Sequence, residues 1–102
     1  MTEDDFLKTV IDLAHVYGWK CFHARAAMTS KGWRTPVQAD GAGFPDLVLV
    51  RERVIFAELK SEKGKLSDAQ QAWKDVLQTA WGEYYIWKPS DFDAIVEILK
   101  RC

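Results

Sequence analysis

Three ionisable residues interrupt two apolar segments near the middle of this 102-residue sequence, where a small domain is expected to carry apolar side chains. Asp46 precedes the segment Leu-Val-Leu-Val, while Glu58 and Lys60 stand at the end of the next apolar segment. A carboxylate removed from water costs several kcal/mol unless a cation or hydrogen bonds compensate it. The two acids therefore indicate a specific partner, and a metal ion together with a phosphate group fits their charge and chemistry.

A short turn between the two segments would bring these side chains together. If the turn consists of Arg51–Arg53, Asp46 lies directly opposite Glu58 in an antiparallel pair. Opposed residues share a face with Cβ atoms about 4.5–5.5 Å apart, and the two-residue period of a strand puts Lys60 on that face too. Mg²⁺ typically takes one or two carboxylates, keeps several waters and accepts phosphate oxygens. The set predicts metal-assisted phosphodiester hydrolysis, in which Lys60 orients the attacking water or stabilises charge on phosphorus.

A purely structural use of the same residues is the alternative. Asp46 would then merely follow Pro45 in a turn, and Glu58 would pair with Lys60 at a sheet edge. Each pair taken alone favours this interpretation. The conjunction favours the metal site, because an acid begins one strand, an acid and a lysine stand two apart on the next, and apolar residues fill the positions between them.

Length and composition bound the class of protein. With 48% hydrophobic and 13% aromatic residues, 102 residues suffice for one compact core, so we expect a single domain over residues 1–102. The acidic start MTEDDFLK lacks a signal region, and no apolar run approaches the ~20 residues of a membrane span. Cys21 and Cys102 form no CxxC pair, and with two histidines there is no four-ligand zinc spacing. We therefore expect a soluble cytoplasmic protein with free thiols and no membrane partner.

The charge distribution qualifies the net charge of −1, which by itself argues weakly against a nucleic-acid partner. Residues 19–65 hold nine basic and five acidic groups, whereas the segments on either side are net acidic. Two of those five acids are Asp46 and Glu58. If both bind a metal ion, the middle of the chain forms a cationic surface around the ion.

The candidate DNA-binding residues flank the proposed ion site along the chain. The polar segment over residues 26–43 lacks steady periodicity and predicts a long surface loop, of the kind that is usually functional or disordered. Trp33 in this loop suits base contacts, although solvated lysines and one half-exposed tryptophan are the more common explanation. The basic candidates for phosphate contacts are Arg25, Lys31, Arg34, Lys63 and Lys65.

Seven elements are predicted to position these side chains. A first helix is capped by Thr2 and ends at Gly18, and a strand covers residues 19–25. The two apolar segments form a hairpin, after which Ser67 opens a helix in a capping box with Gln70. A strand EYYIW and a last helix capped by Ser90 follow. The order αβββαβα predicts an α/β fold with a mixed sheet.

The central motif resembles a known nuclease signature. Pro45-Asp46, a spacer of eleven residues and then Glu58-Leu59-Lys60 reproduce the PD-(D/E)xK pattern. The surrounding GAGFPDLVLV and ELKSEKGKLSDAQQAW resemble the VRR-NUC (virus-type replication-repair nuclease) family, particularly its small stand-alone bacteriophage and bacterial members. The Gly-x-Pro-Asp lead-in, the Gly-Lys-Leu-Ser link and Gln70 add specificity, and the resemblance runs from Thr2 to about Ser90.

The resemblance implies a restriction-endonuclease-like core, a central mixed β-sheet flanked by helices, and a Mg²⁺- or Mn²⁺-dependent DNA endonuclease. It implies that Asp46 and Glu58 bind the ion through their carboxylates and Leu59 through its backbone carbonyl. Lys60 would be the catalytic lysine, and Gln70 would reach the active site. In this family an acid on the first helix completes the cluster, and Glu3 is the best match, with Asp4 and Asp5 close beside it.

Several of these residues have a structural alternative. Glu3 either completes the ion site or only complements the positive end of the first helix. Gln70 either reaches the site or only closes the capping box with Ser67. His23 lies on a strand next to the site, where it either contacts phosphate or packs as a hydrogen-bonded core histidine.

The substrate and assembly follow from the same resemblance. Small stand-alone relatives resemble Holliday-junction resolvases, which implies branched or structured DNA as the substrate and a role in DNA repair. One small domain presents one active site, so symmetric cutting of two strands requires a homodimer. The alternatives are a monomeric flap or nicking nuclease, and a catalytically silent DNA-binding or protein-interaction module. The complete set Asp46, Glu58 and Lys60 argues against the silent module.

Overall fold

A four-stranded mixed β-sheet with helices on both faces forms the centre of the protein. The computed structural model describes residues 1–23, 27–29, 32–34 and 39–102, with the backbone alone at 27–29 and 32–34. In chain order the elements are α1 (Glu3–Val16), β1 (Lys20–His23), β2 (Ala27–Thr29), β3 (Gly32–Arg34), β4 (Leu47–Val50), β5 (Val54–Leu59), α2 (Asp68–Thr79), β6 (Glu83–Trp87) and α3 (Phe92–Lys100). A 3₁₀ turn, Pro89–Asp91, precedes α3.

The strand order in the central sheet is β1-β4-β5-β6. The pairs β1–β4 and β4–β5 are antiparallel, whereas β5–β6 is parallel. A parallel pair needs a crossover, and α2 supplies it. The predicted α/β fold with a mixed, open sheet flanked by helices is confirmed, and it is compatible with a restriction-endonuclease-like core.

A second, two-stranded sheet corrects the predicted element order. The segment 26–43, expected to be a loop, contains β2 and β3, which pair antiparallel with Met28 opposite Trp33. The order is therefore αβββββαβα rather than αβββαβα. Strands of three residues are too short to show a two-residue alternation in the sequence, which is why the polar composition dominated the prediction.

The hydrophobic core lies between the central sheet, α1 and α3. The helix α1 buries Phe6, Val10 and Ala14 at a spacing of four residues, and α3 buries Ile95 and Leu99. The sheet contributes the buried side chains of Leu47, Leu49, Ile55, Ala57, Leu59 and Trp87. Because side chains alternate along a strand, the residues between these positions, including Glu58, lie on the opposite face, part of which α2 covers.

The helix α2 is attached to the segment that leads into Asp46. The Phe44 ring packs edge-on against Phe56 of β5 at 6.0 Å and against Trp73 of α2 at 5.0 Å between centroids. Gly43 has φ +81°, and a Cβ there would lie 2.5 Å from the carbonyl carbon of Ala69. Only glycine allows this close approach, so the Gly-x-Pro-Asp lead-in positions α2 as well as Asp46.

Helix capping agrees with the sequence for α1 and α2 but not for α3. Both predicted N-caps form complete capping boxes, Thr2 with Asp5 and Ser67 with Gln70. The predicted cap at Ser90 is wrong, because the 3₁₀ turn moves the start of α3 to Phe92. The Ser90 backbone N–H and hydroxyl instead donate to the Glu62 carboxylate at 2.6 and 2.9 Å. In the described part of the chain, no helix has the length and apolar character needed to span a membrane.

Two arginines of the β4–β5 turn stabilise the end of the molecule opposite Glu58. Arg51 donates to the Leu99 carbonyl at 3.0 Å, and Arg53 donates to the Ile98 carbonyl at 2.6 Å. Both guanidinium groups lie over the Trp19 ring, at 4.5 and 4.9 Å from its centroid. These cations complement the C-terminal end of α3. The cationic surface expected for residues 19–65 therefore rests on fewer residues than the sequence suggested.

Candidate active site

The hairpin register brings Asp46 and Glu58 together, as predicted. Val50 pairs with Val54, so the turn consists of Arg51–Arg53, and the last assigned pair is Leu47 with Ala57. One step further along the ladder, Asp46 is opposite Glu58. Each strand thus delivers one carboxylate to the end of the sheet that lies away from the turn.

Glu58 is a buried acid with an unsatisfied oxygen. Its side chain is 2% exposed, and its Oε1 accepts a hydrogen bond from Gln70 Nε2 at 3.2 Å. Its Oε2 is buried without a hydrogen-bond partner among the described residues. Burial, and then the adjacent Asp46 carboxylate, raise the pKa of Glu58 to about 9, although Lys60 acts in the opposite direction. At neutral pH the pair of carboxyls therefore favours one additional proton or a cation.

Asp46 is held through both its side chain and its backbone. Its Oδ2 accepts a hydrogen bond from the Leu59 N–H at 2.8 Å, and its carbonyl oxygen lies 2.9 Å from His23 Nδ1. The N–H and C=O of one strand residue point toward the same neighbouring strand. Because the Leu59 N–H points at Asp46, its carbonyl is directed to that side as well, where the resemblance predicts an ion ligand.

Lys60 shares the face that carries Glu58. Its N–H donates to the Trp87 carbonyl at 2.9 Å and so continues the β5–β6 ladder one residue beyond Leu59. Side chains two residues apart on a strand share a face, and the Lys60 charge lowers the pKa of Glu58 against the larger effect of burial. At Gly64 an added Cβ would lie 3.2 Å from the Lys60 Cβ, so this turn leaves room for the lysine stem.

Gln70 makes a contact that fits each of the two roles considered for it. Its Oε1 accepts a hydrogen bond from the Ser67 N–H at 2.8 Å, which closes the capping box. The amide nitrogen of the same side chain is then the group that faces Glu58. The start of α2 is thereby tied to the buried acid of β5.

The start of α1 lines a small cavity beside Asp46. Its volume is about 120 Å³, and its lining residues are Glu3, Asp4, Leu7, His23, Asp46 and Leu59. The Glu3 charge also raises the pKa of Glu58. Asp5 accepts from the Thr2 N–H in the capping box. The structure thus brings both Glu3 and Asp4 to the site, and the choice of Glu3 stays a prediction.

The candidate DNA-binding residues are described only in part. Lys63 and Lys65 are exposed in the loop that follows Lys60. Arg25 and Lys31 lie outside the described residues, as does the side chain of Arg34 in β3.

The described donor atoms fit a hard divalent cation. Among the described residues, no group of three or more His, Cys, Asp or Glu side chains is arranged to hold a metal ion. The candidate donors are the carboxylates of Asp46 and Glu58 and the carbonyl of Leu59, all of them oxygen. Mg²⁺ and Mn²⁺ favour such oxygen donors, and Mg²⁺ retains several waters. The buried Glu58 Oε2 gives such a cation a ligand that otherwise lacks a partner.

Two contacts at the site were not predicted from the sequence. The bond from His23 to the Asp46 carbonyl joins residues 23 positions apart, and the bonds from Ser90 to Glu62 join residues 28 apart. Glu62 thereby attaches the loop carrying Lys63 and Lys65 to the turn before α3. The sequence carries no local signal for either contact, because each depends on how distant elements pack.

The VRR-NUC domain model matches residues 14–90, which is more than half of the chain. The matched segment contains Asp46, Glu58, Lys60 and Gln70, and it ends where the resemblance was expected to end. It begins inside α1 at Ala14, so Glu3 and Asp4 lie outside it. No curated protein and no solved structure matches the chain.

Proposed function

Because the chain belongs to the VRR-NUC domain family, a family of nuclease type, we propose that it is a divalent-metal-dependent endonuclease that hydrolyses phosphodiester bonds in DNA. The observation that carries the proposal is the pair formed by the half-buried Asp46 and the buried Glu58, with an unsatisfied oxygen on Glu58 and a lysine on the same face. Such a pair is costly to maintain without a cation.

Each residue has a defined part in this mechanism. The Asp46 and Glu58 carboxylates and the Leu59 carbonyl hold Mg²⁺ or Mn²⁺. A bound divalent cation supplies Lewis-acid polarisation of the phosphoryl oxygen and lowers the pKa of a water. The Lys60 ammonium stabilises the negative charge that builds on the phosphoryl oxygens or orients the attacking water. Gln70 keeps Glu58 in orientation through the bond to its Oε1.

The direct test is a cleavage assay of the purified protein on duplex, flap, fork and four-way DNA, with Mg²⁺, Mn²⁺ or EDTA. We expect cleavage with either ion and none with EDTA, and we expect four-way or other branched DNA to be cut in preference to plain duplex. Binding without cleavage under all conditions would favour the silent module. A preference for flaps by a monomer would favour the flap nuclease.

For assembly, we propose a homodimer formed through the part of the Glu58 face of the sheet that α2 leaves uncovered. Phe22, Val50 and Val54 lie on that face by the strand register, and they are 61%, 43% and 42% exposed. Exposed apolar groups of this kind commonly mark interfaces. A second copy over this face would supply the second active site that symmetric cutting requires.

Replacing Val54 by Lys tests this interface. We expect wild-type protein to show twice the mass of one chain in light scattering, and the variant to show the mass of one chain. The variant should nick a four-way junction without paired incisions. Val16 on α1 is 76% exposed, so Val16→Lys is the matched control and should stay dimeric. Equal masses for all three proteins would contradict this interface.

The acid contributed by α1 is tested by Glu3→Gln and Asp4→Asn. Glu3→Gln is expected to reduce the cleavage rate strongly with little change in melting temperature. A contribution only to the helix dipole would leave the rate unchanged and cost under about 1 kcal/mol of stability. Equal effects of the two substitutions on the rate would remove the basis for choosing Glu3 over Asp4.

The basic residues chosen from the sequence are expected to bind phosphates. Changing Lys31, Arg34, Lys63 and Lys65 together to Gln should weaken binding to every DNA structure and flatten its salt dependence, because fewer counterions are released. The preference among DNA structures should survive if subunit geometry sets it. Fluorescence anisotropy over a range of salt concentrations measures the affinity for each DNA structure and its salt dependence.

A matched pair of variants controls for net charge. Lys63→Gln with Lys65→Gln is compared with Lys20→Gln with Lys100→Gln, because Lys20 pairs with Val50 next to the β4–β5 turn and Lys100 ends α3. Only the first pair should change affinity and salt slope. An unchanged slope for the quadruple variant would mean that DNA binds elsewhere.

A further inference from the structure

The Asp46 backbone lies next to the end of the described part of the β1–β4 ladder. Among the described residues, the last pair of β1 with β4 is His23 opposite Leu47, and Asp46 stands one residue beyond it. Pro45, which precedes Asp46, has no N–H with which to hold this turn. The His23 ring contacts this backbone, with Nδ1 at 2.9 Å from the Asp46 carbonyl oxygen. Because a carbonyl oxygen only accepts, Nδ1 is the donor and carries a hydrogen.

Asp46 is therefore held from both neighbouring strands. The His23 ring of β1 binds its carbonyl, and the Leu59 N–H of β5 binds its carboxylate at 2.8 Å. The first bond fixes the backbone from which the side chain extends, and the second fixes the direction of the carboxylate. Loss of the first would let the peptide group rotate and would weaken the second.

From this geometry we propose that His23 is a positioning residue, which acts through the Asp46 backbone to keep the Asp46 carboxylate in place against Glu58. The effect on catalysis rests on the proposed nuclease function, whereas the effect on Asp46 does not. His23 is half-buried and lines the cavity that Glu3 and Asp4 also line, so its ring is part of the site rather than of the remote core.

Two substitutions distinguish the contributions of the two ring nitrogens, Nδ1 and Nε2. The amide nitrogen of Asn lies close to the place of Nδ1, whereas that of Gln lies close to the place of Nε2. His23→Asn should therefore keep the bond to the Asp46 carbonyl, and His23→Gln and His23→Ala should lose it. Melting temperatures of the three variants show whether each folds.

The first measurement is hydrogen exchange of the Leu59 amide in the metal-free protein, since this N–H binds the Asp46 carboxylate. We expect exchange at least about tenfold faster in His23→Gln and His23→Ala, and within about threefold of wild type in His23→Asn. The second is calorimetric Mn²⁺ binding together with the cleavage rate. Outer-shell partners of metal ligands typically contribute about 10–100-fold in affinity or activity. His23→Gln and His23→Ala should therefore lose Mn²⁺ affinity and cleavage rate by that factor, whereas His23→Asn should keep both.

The outcomes separate this inference from the proposed function. Wild-type activity with Gln and loss with Asn would show that Nε2 matters and would overturn the positioning role, as would wild-type exchange in all three variants. If the wild-type protein neither binds Mn²⁺ nor cleaves DNA, the proposed function fails. The amide exchange series still decides whether His23 holds Asp46 in that case.

Discussion

Replacing Glu58 by Gln is expected to reduce DNA cleavage to the background level while the protein stays folded. The amide keeps the shape of the side chain but cannot supply an anionic ligand to the ion, and the same loss is expected for Asp46→Asn. Cleavage rates with saturating Mn²⁺ and calorimetric Mn²⁺ binding measure the two effects. Glu97→Gln, on the exposed side of α3, is the control and should cleave normally. Near-normal Mn²⁺-dependent activity in either site variant would contradict the assignment.

Glu58→Gln should also change how the stability of the metal-free protein depends on pH. The pKa of Glu58 is about 9 in the folded protein, against an ordinary value of 4.5. The folded state therefore binds the proton more tightly than the unfolded state, and stability is lost as pH rises from about 4.5 towards 9. One proton gives a slope of at most about 1.4 kcal/mol per pH unit.

Urea denaturation in EDTA between pH 5 and 8.5 tests this sign, over a range set by the two pKa values. Wild-type protein should lose stability across the range, and Glu58→Gln should remove most of that slope. At neutral pH and above, the variant should be the more stable of the two without metal. Parallel curves for the two proteins would mean that Glu58 is not the group that binds the proton.

Replacing Lys60 by Met is the second change expected to have a large effect. The methionine keeps the stem that packs beside Gly64 but removes the ammonium group. Removing one preorganised donor to a developing charge typically costs about 10²–10³ in rate, and we expect a loss of cleavage of that size. The carboxylate ligands stay in place, so Mn²⁺ affinity should change by less than about threefold.

Single-turnover cleavage and calorimetry on Lys60→Met separate these two effects. Lys63→Met, three residues along the same loop, controls for the loss of one positive charge and should lower DNA affinity without a comparable loss in the single-turnover rate. If Lys60→Met abolished Mn²⁺ binding instead, the lysine would be supporting the ion site and not the reaction. Full activity would remove it from the mechanism.

From the sequence, the hypothesis of a three-residue turn at Arg51–Arg53 was enough to predict the register of the β4–β5 hairpin and, with it, the meeting of Asp46, Glu58 and Lys60. Residues 47–50 and 54–57 are all apolar, so the short charged turn between the two segments, and not an alternation of apolar and polar residues, supported this pairing. The capping boxes of α1 and α2 could also be predicted from the sequence, because each joins residues three apart. Turn length and short-range hydrogen bonds each depend on one continuous segment of the chain, so both can be predicted from the sequence.

Only the tertiary structure decided what depends on distant elements. It assigned Arg51 and Arg53 to the end of α3, Ser90 to Glu62, and His23 to the Asp46 carbonyl. In the structure, α2 also leaves part of one sheet face uncovered, although the sequence predicts that every apolar residue there lies in the core. Each of these outcomes is set by which helix packs over which part of the sheet. That packing balances burial over the whole molecule, so no single segment encodes it.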